Sequence, residues 1–241
     1  MTSFIKLKNT PIKEIIFTIS FIENVDFDKL DAFKALPEIS KNFNIVNKGF
    51  NTHVEAKGQE QPTARILQDG YVLRCNPLSR IIQARKGSFS FHKINGYERF
   101  EILIAELEQY WNLFIQCNGM PLTVNNLSAR YLNFIERKSE EKIDDLITIH
   151  SIHPFGDTIE NSFIQYKFKY DRNPDIVANV ITAKGKDKLK EGVVLDIILN
   201  KKINSEQNSK VIFSSFNDMR VAKNDLFFRS ITESTLNKYN Q

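Results

Sequence analysis

The sequence has few of the residues that break or cross-link a chain. Only nine glycines, seven prolines and two cysteines occur among 241 residues. Hydrophobic residues make up 41% and charged residues 26% of the chain, so disorder is excluded and a sizeable core is expected. We expect one large or two small α+β domains, with Cys75 and Cys117 as free, buried thiols.

Long apolar runs and common catalytic motifs are also missing. No run approaches the roughly 20 apolar residues of a membrane-spanning helix. The start, MTSFIKLKNTP, has no apolar segment of the secretory kind. There is no GxGxxG, P-loop, HExxH or GxSxG motif. These absences predict a cytoplasmic protein without a membrane partner, and they favour binding over catalysis, with no cofactor.

Secondary-structure signals follow the same order twice along the chain. Each half is predicted to contain a strand, a short helix, several antiparallel strands and a long helix. Asp69-Gly70 and Gly87 predict two hairpin turns, and the charged stretch 184–192 predicts a solvated hairpin loop. The two long helices are expected over 97–116 and 217–239, each with an apolar stripe at helical spacing.

This order of elements predicts the architecture. We expect two β-α-β(3–5)-α halves, residues 1–120 and 121–241, joined in one compact unit. Their strands would form one curved antiparallel sheet backed by the two long helices. The arrangement is similar to the saddle of TATA-binding proteins and, within each half, to helix-grip folds. Likeness at the level of a fold carries no function.

Four segments resemble a sporadically distributed, uncharacterised bacterial protein family of about this length. They read PIKEIIFTISF, LSARYLNFIER, VVLDIIL and AKNDLFFRSITESTLNKY. The family's middle strand is similar at Arg130, Tyr131, Asn133 and Arg137, although Leu132 and Phe134 interrupt the pattern, and Asp196 also matches. The resemblance implies no activity. It implies an association with mobile elements, including antiphage defence islands.

Basic residues concentrate in segment 65–93, which we call the basic segment. Six cations stand there against Asp69 alone, whereas the whole chain carries +4. On a solvent-facing sheet they would attract phosphate groups, and Tyr71, Phe89 and Phe91 could stack on bases. The alternative is a solvated basic face over an aromatic core. The cations are Arg65, Arg74, Arg80, Arg85, Lys86 and Lys93.

The strand 125–137 contains polar residues among apolar ones. Arg130 or Asn133 could line a pocket and contact an anion or a base edge. Alternatively, Arg130 pairs with a carboxylate such as Asp196 across the sheet, because a buried arginine requires a negative partner. His150 and His153 have a spacing that could bind a metal, but the surroundings favour a surface loop.

We therefore predict a non-catalytic binding or adaptor protein for an anionic ligand, namely nucleic acid, a nucleotide or a phosphorylated small molecule. The candidate ligand-binding residues are the six cations of the basic segment with Arg130 and Asn133. The alternative is a protein-interaction subunit of a bacterial multi-gene system, such as an antiphage defence system, with a partner protein from a neighbouring gene. A homodimer is a further candidate assembly. An unrecognised hydrolase or nuclease is the third candidate. No metal site is predicted.

Overall fold

A computed structural model describes residues 7–55, 63–149, 163–206 and 209–240. The strands and helices, with one 3-10 turn, follow in chain order: β1 (Ile12–Phe21), α1 (Phe27–Ala35), α2 (Pro37–Ser40), β2 (Ile45–Glu55), β3 (Thr63–Arg74), β4 (Arg80–Arg85), β5 (Ser88–Ile94), α3 (Phe100–Asn118), β6 (Thr123–Glu136), the 3-10 turn (Ile143–Asp145), β7 (Phe163–Lys169), β8 (Ile176–Asp187), β9 (Lys190–Glu206), α4 (Ser209–Ser230) and α5 (Glu233–Asn240).

The fold is α+β, and the described residues form nine strands in one antiparallel sheet. The strand order is β2-β3-β4-β5-β1-β6-β9-β8-β7. Each half of the chain contributes its first strand, β1 or β6, to the centre and places its other strands outward. The central pair is in register from Glu14 opposite Leu132 to Ser20 opposite Asn126. The sheet is therefore continuous across the two halves.

The long helices α3 and α4 pack on the same face of this sheet. Alternate residues of β1, including Phe17, point towards them, as the two-residue period of a strand requires. Phe17 contacts Phe100 of α3 at 6.1 Å and Phe216 of α4 at 5.2 Å between ring centroids. One continuous apolar core thus includes residues of both halves.

The opposite face of the sheet is not covered by any helix in the described part of the chain. We call it the uncovered face. Side chains opposite one another in the ladder form rows across it, and one row crosses all nine strands. From β2 to β7 this row reads Ile45, Arg74, Ile81, His92, Ile16, Arg130, Ile198, Asn179 and Lys167.

The hairpin predicted at Asp69-Gly70 is wrong, because β3 runs through both residues. The pairing with β2 changes from Gly49 opposite Gly70 to Phe50 opposite Gln68, so Asp69 is the extra residue of a β-bulge. Gly70 is needed for close approach to β4. A Cβ there would lie 2.1 Å from the carbonyl oxygen of Ala84. The hairpin at Gly87 is confirmed as the connection between β4 and β5.

Other boundaries differ because distant segments meet. The predicted C-terminal helix ends at Ser230, where Ile231 forms a β-bridge with Ile147, and α5 then begins at Glu233. The expected loop 184–192 is mostly strand, with a turn at Lys188 and Leu189. The short helix expected near Ser139 is reduced to the 3-10 turn. None of the described helices is long and apolar enough to cross a membrane.

Candidate functional site

A cavity of about 480 Å³ lies between the start of β1, the start of α3 and the middle of α4. Its walls include residues 97–101, Asn133 of β6, and five residues before and at the start of β1, namely Leu7, Lys8, Thr10, Pro11 and Ile12. From α4 come Arg220, Lys223, Asn224, Phe227 and Phe228. The volume suits a small molecule rather than a macromolecule.

Lys223 is the most unusual side chain in this wall. It follows Met219 by one helical turn and precedes Phe227 by another, so it lies on the apolar side of α4. Only 7% of the residue is exposed, and its ammonium lies 4.8 Å from the centre of the Tyr131 ring. Among the described residues it has no ion pair or hydrogen bond. Burial, assisted by the charge of Arg220, lowers the pKa of Lys223 to about 8.

Asn133 adds a hydrogen-bond acceptor that has no donor. Its Nδ2 donates to the carbonyl oxygens of Tyr131 at 3.1 Å and Leu195 at 2.9 Å. These two bonds fix the orientation of the amide, because only nitrogen can donate to both carbonyls. The Oδ1 atom is buried and finds no donor among the described residues. Asn133 lines the cavity, but this oxygen lies behind the wall, out of reach of a water-sized molecule.

The phenol of Tyr131 is similarly buried. Its hydroxyl has no hydrogen-bond partner in the described part of the chain. Burial raises the pKa of Tyr131, so the hydroxyl keeps its proton. Two polar groups behind the cavity wall, Asn133 Oδ1 and this hydroxyl, are therefore unsatisfied, which is costly in a buried position unless it has a use.

The carboxylates at the cavity are already engaged by other cations. Glu101 accepts from Arg220 at 2.8 Å. Glu98 accepts from Lys93 at 2.7 Å and from Arg80 at 3.1 Å. Four cationic side chains line the cavity against two carboxylates, so its formal charge is +2. The cations are Lys8, Arg99, Arg220 and Lys223.

The first turn of α3 belongs to the same wall. Arg99 occupies the N-cap position and makes no side-chain capping bond. Amide groups at a helix N-terminus favour negative charge. Together with the unpaired Lys223, the helix start makes the cavity a suitable environment for an anion.

The basic segment is partly neutralised by the fold. Arg80 donates Nη2–H to Glu106 at 2.6 Å in addition to its contact with Glu98. Lys93 is buried against Glu98, and Arg85 donates Nη1–H to Asp69 at 2.8 Å. Three of the six predicted cations therefore have carboxylate partners. Two of these carboxylates, Glu98 and Glu106, lie outside the basic segment. The charge counted over residues 65–93 therefore did not include them.

The other cations of the basic segment do not form one cluster. Arg65 is exposed near the outer end of β3. The Lys86 ammonium lies 4.6 Å from the centre of the Phe27 ring. Arg74 and Arg130 share the row across the uncovered face but stand four strands apart, which is about 19 Å at the usual strand spacing. The predicted stacking residues Phe89 and Phe91 are buried in the core.

Arg130 pairs with Asp196 on the uncovered face. Its Nε–H and Nη2–H donate to the Asp196 carboxylate at 2.9 and 2.6 Å. Two interpretations of Arg130 were open, a ligand contact in a pocket and an ion pair across the sheet. This geometry is the ion pair. The hydrogen bond to Asp196 raises the pKa of Arg130. Arg130 and Asn133, close in sequence, point to opposite faces of the sheet, and only Asn133 reaches the cavity.

Metal binding finds no support in the described residues. They hold no group of three or more His, Cys, Asp or Glu side chains that could bind an ion. His150 and His153, the pair singled out in the sequence, lie outside the described residues.

Both cysteines are free, but the expectation that they are buried is wrong, because both are partly exposed. They are expected to react at different rates. Burial raises the pKa of the Cys75 thiol, but hydrogen bonds from Ser79 and the N–H of Arg80 outweigh it, so the pKa is lowered. Burial raises the pKa of Cys117. Because the thiolate is the reactive form, iodoacetamide should alkylate Cys75 first at neutral pH. Mass mapping of a time course checks this, with Cys75→Ser as the control. Equal rates would contradict it.

Lys223 and Arg220 were not among the residues predicted from the sequence. One signal could have identified Lys223, since it interrupts the apolar stripe formed by Met219, Leu226 and Phe227. Nothing local connects it to Asn133 or to the start of α3, which are about 90 and 120 positions away in the chain. Comparison with models of known protein families finds no match, and no curated protein sequence matches the chain.

Proposed function

We propose that this protein binds a small anionic molecule, of the size of a nucleotide or another phosphorylated metabolite, in the cavity between β1, α3 and α4. The observation that carries the proposal is the buried ammonium of Lys223 without a carboxylate among the described residues. A buried charge without a partner is strongly unfavourable in a protein. An anionic ligand would neutralise it, and the role is binding rather than catalysis.

The surrounding groups support the same ligand class. Arg99 and Lys8 are exposed at the cavity. The start of α3 favours a phosphate or carboxylate at its N-terminus. Asn133 also lines the cavity, but its Oδ1 atom lies behind the wall, so the support for this ligand class comes from the cations and the helix start.

Two measurements test the proposal. The first compares the intact native mass with the denatured mass, to detect a bound ligand. The second is calorimetric titration with inorganic pyrophosphate and adenosine 5′-monophosphate. Lys223→Met should weaken binding roughly tenfold or more, because a hydrogen bond to a charged group contributes about 1.5–3 kcal/mol. The matched control is Lys41→Met, since Lys41 is exposed at the end of α2. Binding that is unchanged in Lys223→Met would contradict the proposal.

Recognition of nucleic acid or another anion by the basic segment remains a separate candidate. This candidate depends on Arg65 and Arg74, because neither has a carboxylate partner among the described residues. In the same titrations, an Arg65→Glu, Arg74→Glu double variant should bind pyrophosphate like the wild type. If only this double variant loses anion binding, the basic segment replaces the cavity as the site.

A protein-interaction subunit is favoured by the two edges of the sheet. Phe50 and Ile66 near one edge are 54% and 70% exposed, and Phe163 and Tyr166 of the other edge strand are 68% and 50% exposed. Exposed apolar edge strands are surfaces on which another chain can add a strand. Mass photometry of the wild type and of a Phe163→Glu, Tyr166→Glu double variant would distinguish a homodimer that pairs through β7 from a monomer.

We also propose that the fold is a tandem saddle of the TATA-binding-protein type. The central position of β1 and β6 and the packing of α3 and α4 on one face support this. A cytoplasmic location and membership in the uncharacterised bacterial family, with its defence-island association, stay proposals.

A further inference from the structure

Lys223 has the surroundings of a reactive amine. Its Nζ lies 4.8 Å from the centre of the Tyr131 ring and 5.9 Å from that of Tyr97, inside the cavity wall. The aromatic rings and the apolar side of α4 keep water away from most of its length. A lysine that is desolvated in this way holds its proton weakly and exposes a nucleophilic lone pair more often than a surface lysine does.

One charged neighbour of Lys223 acts in the same direction. Arg220, three residues earlier in α4, adds a like charge. Lys8 and Arg99 also line the cavity. Of its two carboxylates, Glu101 is paired with Arg220, and Glu98 is paired with Lys93 and Arg80. The neighbouring phenols of Tyr97 and Tyr131 remain neutral, since burial raises the pKa of both.

We propose that Lys223 is a covalent attachment site, which forms a reversible imine with an aldehyde or ketone group of the anionic ligand. The inference rests on the proposed function, since Lys8 and Arg99 would hold the ligand's anionic group at the cavity while Lys223 meets its carbonyl. The neutral Nζ attacks the carbonyl carbon and gives a carbinolamine. Loss of water then forms the C=N bond, with both nitrogen hydrogens leaving on the oxygen. No oxidant or reductant is needed, and water reverses the step.

The start of α3 gives this ligand an orientation. The first turn of α3 and Arg99 bind a phosphate at the cavity mouth, where Arg99 is exposed. The carbonyl group then lies towards Lys223 in the wall. The chemical class is therefore a phosphorylated aldehyde or ketone.

The probe is pyridoxal 5′-phosphate, an aldehyde with a phosphate and a hydroxyl group, added to the full chain and reduced with borohydride. Peptide mass mapping then locates the adduct. At pH 7 we expect labelling of Lys223 to be roughly tenfold or more faster than that of exposed Lys41, because a larger fraction of a buried lysine is deprotonated. Lys223→Arg keeps the positive charge but should lose the adduct.

Pyridoxine 5′-phosphate, which has an alcohol in place of the aldehyde, separates the two levels of the proposal. It should bind both the wild type and Lys223→Arg, and it should protect Lys223 of the wild type from labelling. If it binds the wild type but labelling at Lys223 is no faster than at Lys41, the imine is wrong and the anion-binding function stands. If it does not bind the wild type and Lys223 is not labelled, both are wrong.

Discussion

Lys223→Met is expected to make the protein more stable at pH 7, by up to roughly 3 kcal/mol in the free energy of unfolding, since the loss of the ammonium contact with the Tyr131 ring reduces the gain. Burial lowers the pKa of Lys223 from 10.5 to about 8, and each pKa unit corresponds to about 1.4 kcal/mol. Methionine has a similar length and no charge, so it removes this penalty and fills the same space. For a chain of this size the melting temperature should rise by up to roughly 6–12 °C.

The pH dependence gives this prediction a second, independent test. Below pH 8 the lysine is charged in both the folded and the unfolded chain, so the penalty is fully present. Between pH 8 and 10.5 the folded protein loses the proton while the unfolded chain keeps it, so the wild type gains stability as pH rises. The difference between Lys223→Met and the wild type should fall by more than half at pH 9.5.

Urea unfolding at pH 7 and pH 9.5 measures both effects. The control is Lys41→Met, for which neither a stability gain nor a pH-dependent difference is expected, because Lys41 is exposed. A loss of stability in Lys223→Met would mean that the ammonium has a stabilising partner. Lys223 would then not be an unpaired charge, and the proposed anion site would lose its basis. A gain in stability combined with a loss of anion binding is the pattern expected of a residue kept for function.

The ion pair between Arg130 and Asp196 should respond very unequally to removal of its two partners. Arg130→Met is expected to lower the free energy of unfolding by about 3 kcal/mol, because it leaves a carboxylate without a counter-charge. The Asp196 side chain is only 5% exposed, so water cannot replace the guanidinium. Asp196→Asn should cost about 1 kcal/mol, since the Arg130 side chain is 44% exposed and can be hydrated.

A double variant separates the charge effect from the loss of packing. Arg130→Met combined with Asp196→Leu should recover most of the stability lost in Arg130→Met, because no uncompensated charge remains. Urea unfolding of the wild type, Arg130→Met, Asp196→Leu and the double variant gives the coupling energy. Equal costs for Arg130→Met and Asp196→Asn would contradict the proposed asymmetry. Pyrophosphate binding should survive in Arg130→Met, since Arg130 lies on the face opposite the cavity.

Local patterns were sufficient for much of the secondary structure. The apolar stripe of Phe100, Leu103, Leu107, Trp111 and Phe114 predicts α3, and all five are buried. Gly87 predicts the β4–β5 hairpin. These features depend on residues a few positions apart, whose spacing is preserved in any fold. The order of elements also predicts an α+β protein with one antiparallel sheet, although no residue-level repeat relates the halves.

Local rules failed where a distant segment competed with them. Asp69-Gly70 has the composition of a tight turn, but pairing with β2 and β4 holds both residues in a bulged strand. The helix predicted over 217–239 has no proline or glycine to end it. It ends at Ser230 because the backbone near Ile231 bonds to the segment around Ile147.

The sequence by itself determined the elements, the apolar faces and the need of Arg130 for a negative partner. Only the tertiary structure decided that this partner is Asp196, that Glu98 and Glu106 neutralise part of the basic segment, and that Lys223 meets Asn133 at one cavity. Periodicity and turn chemistry act over a few residues, so they can be read along the chain. Charge pairing and cavities depend on groups that are close in space and far apart in sequence, and these arise only when the sheet and helices assemble.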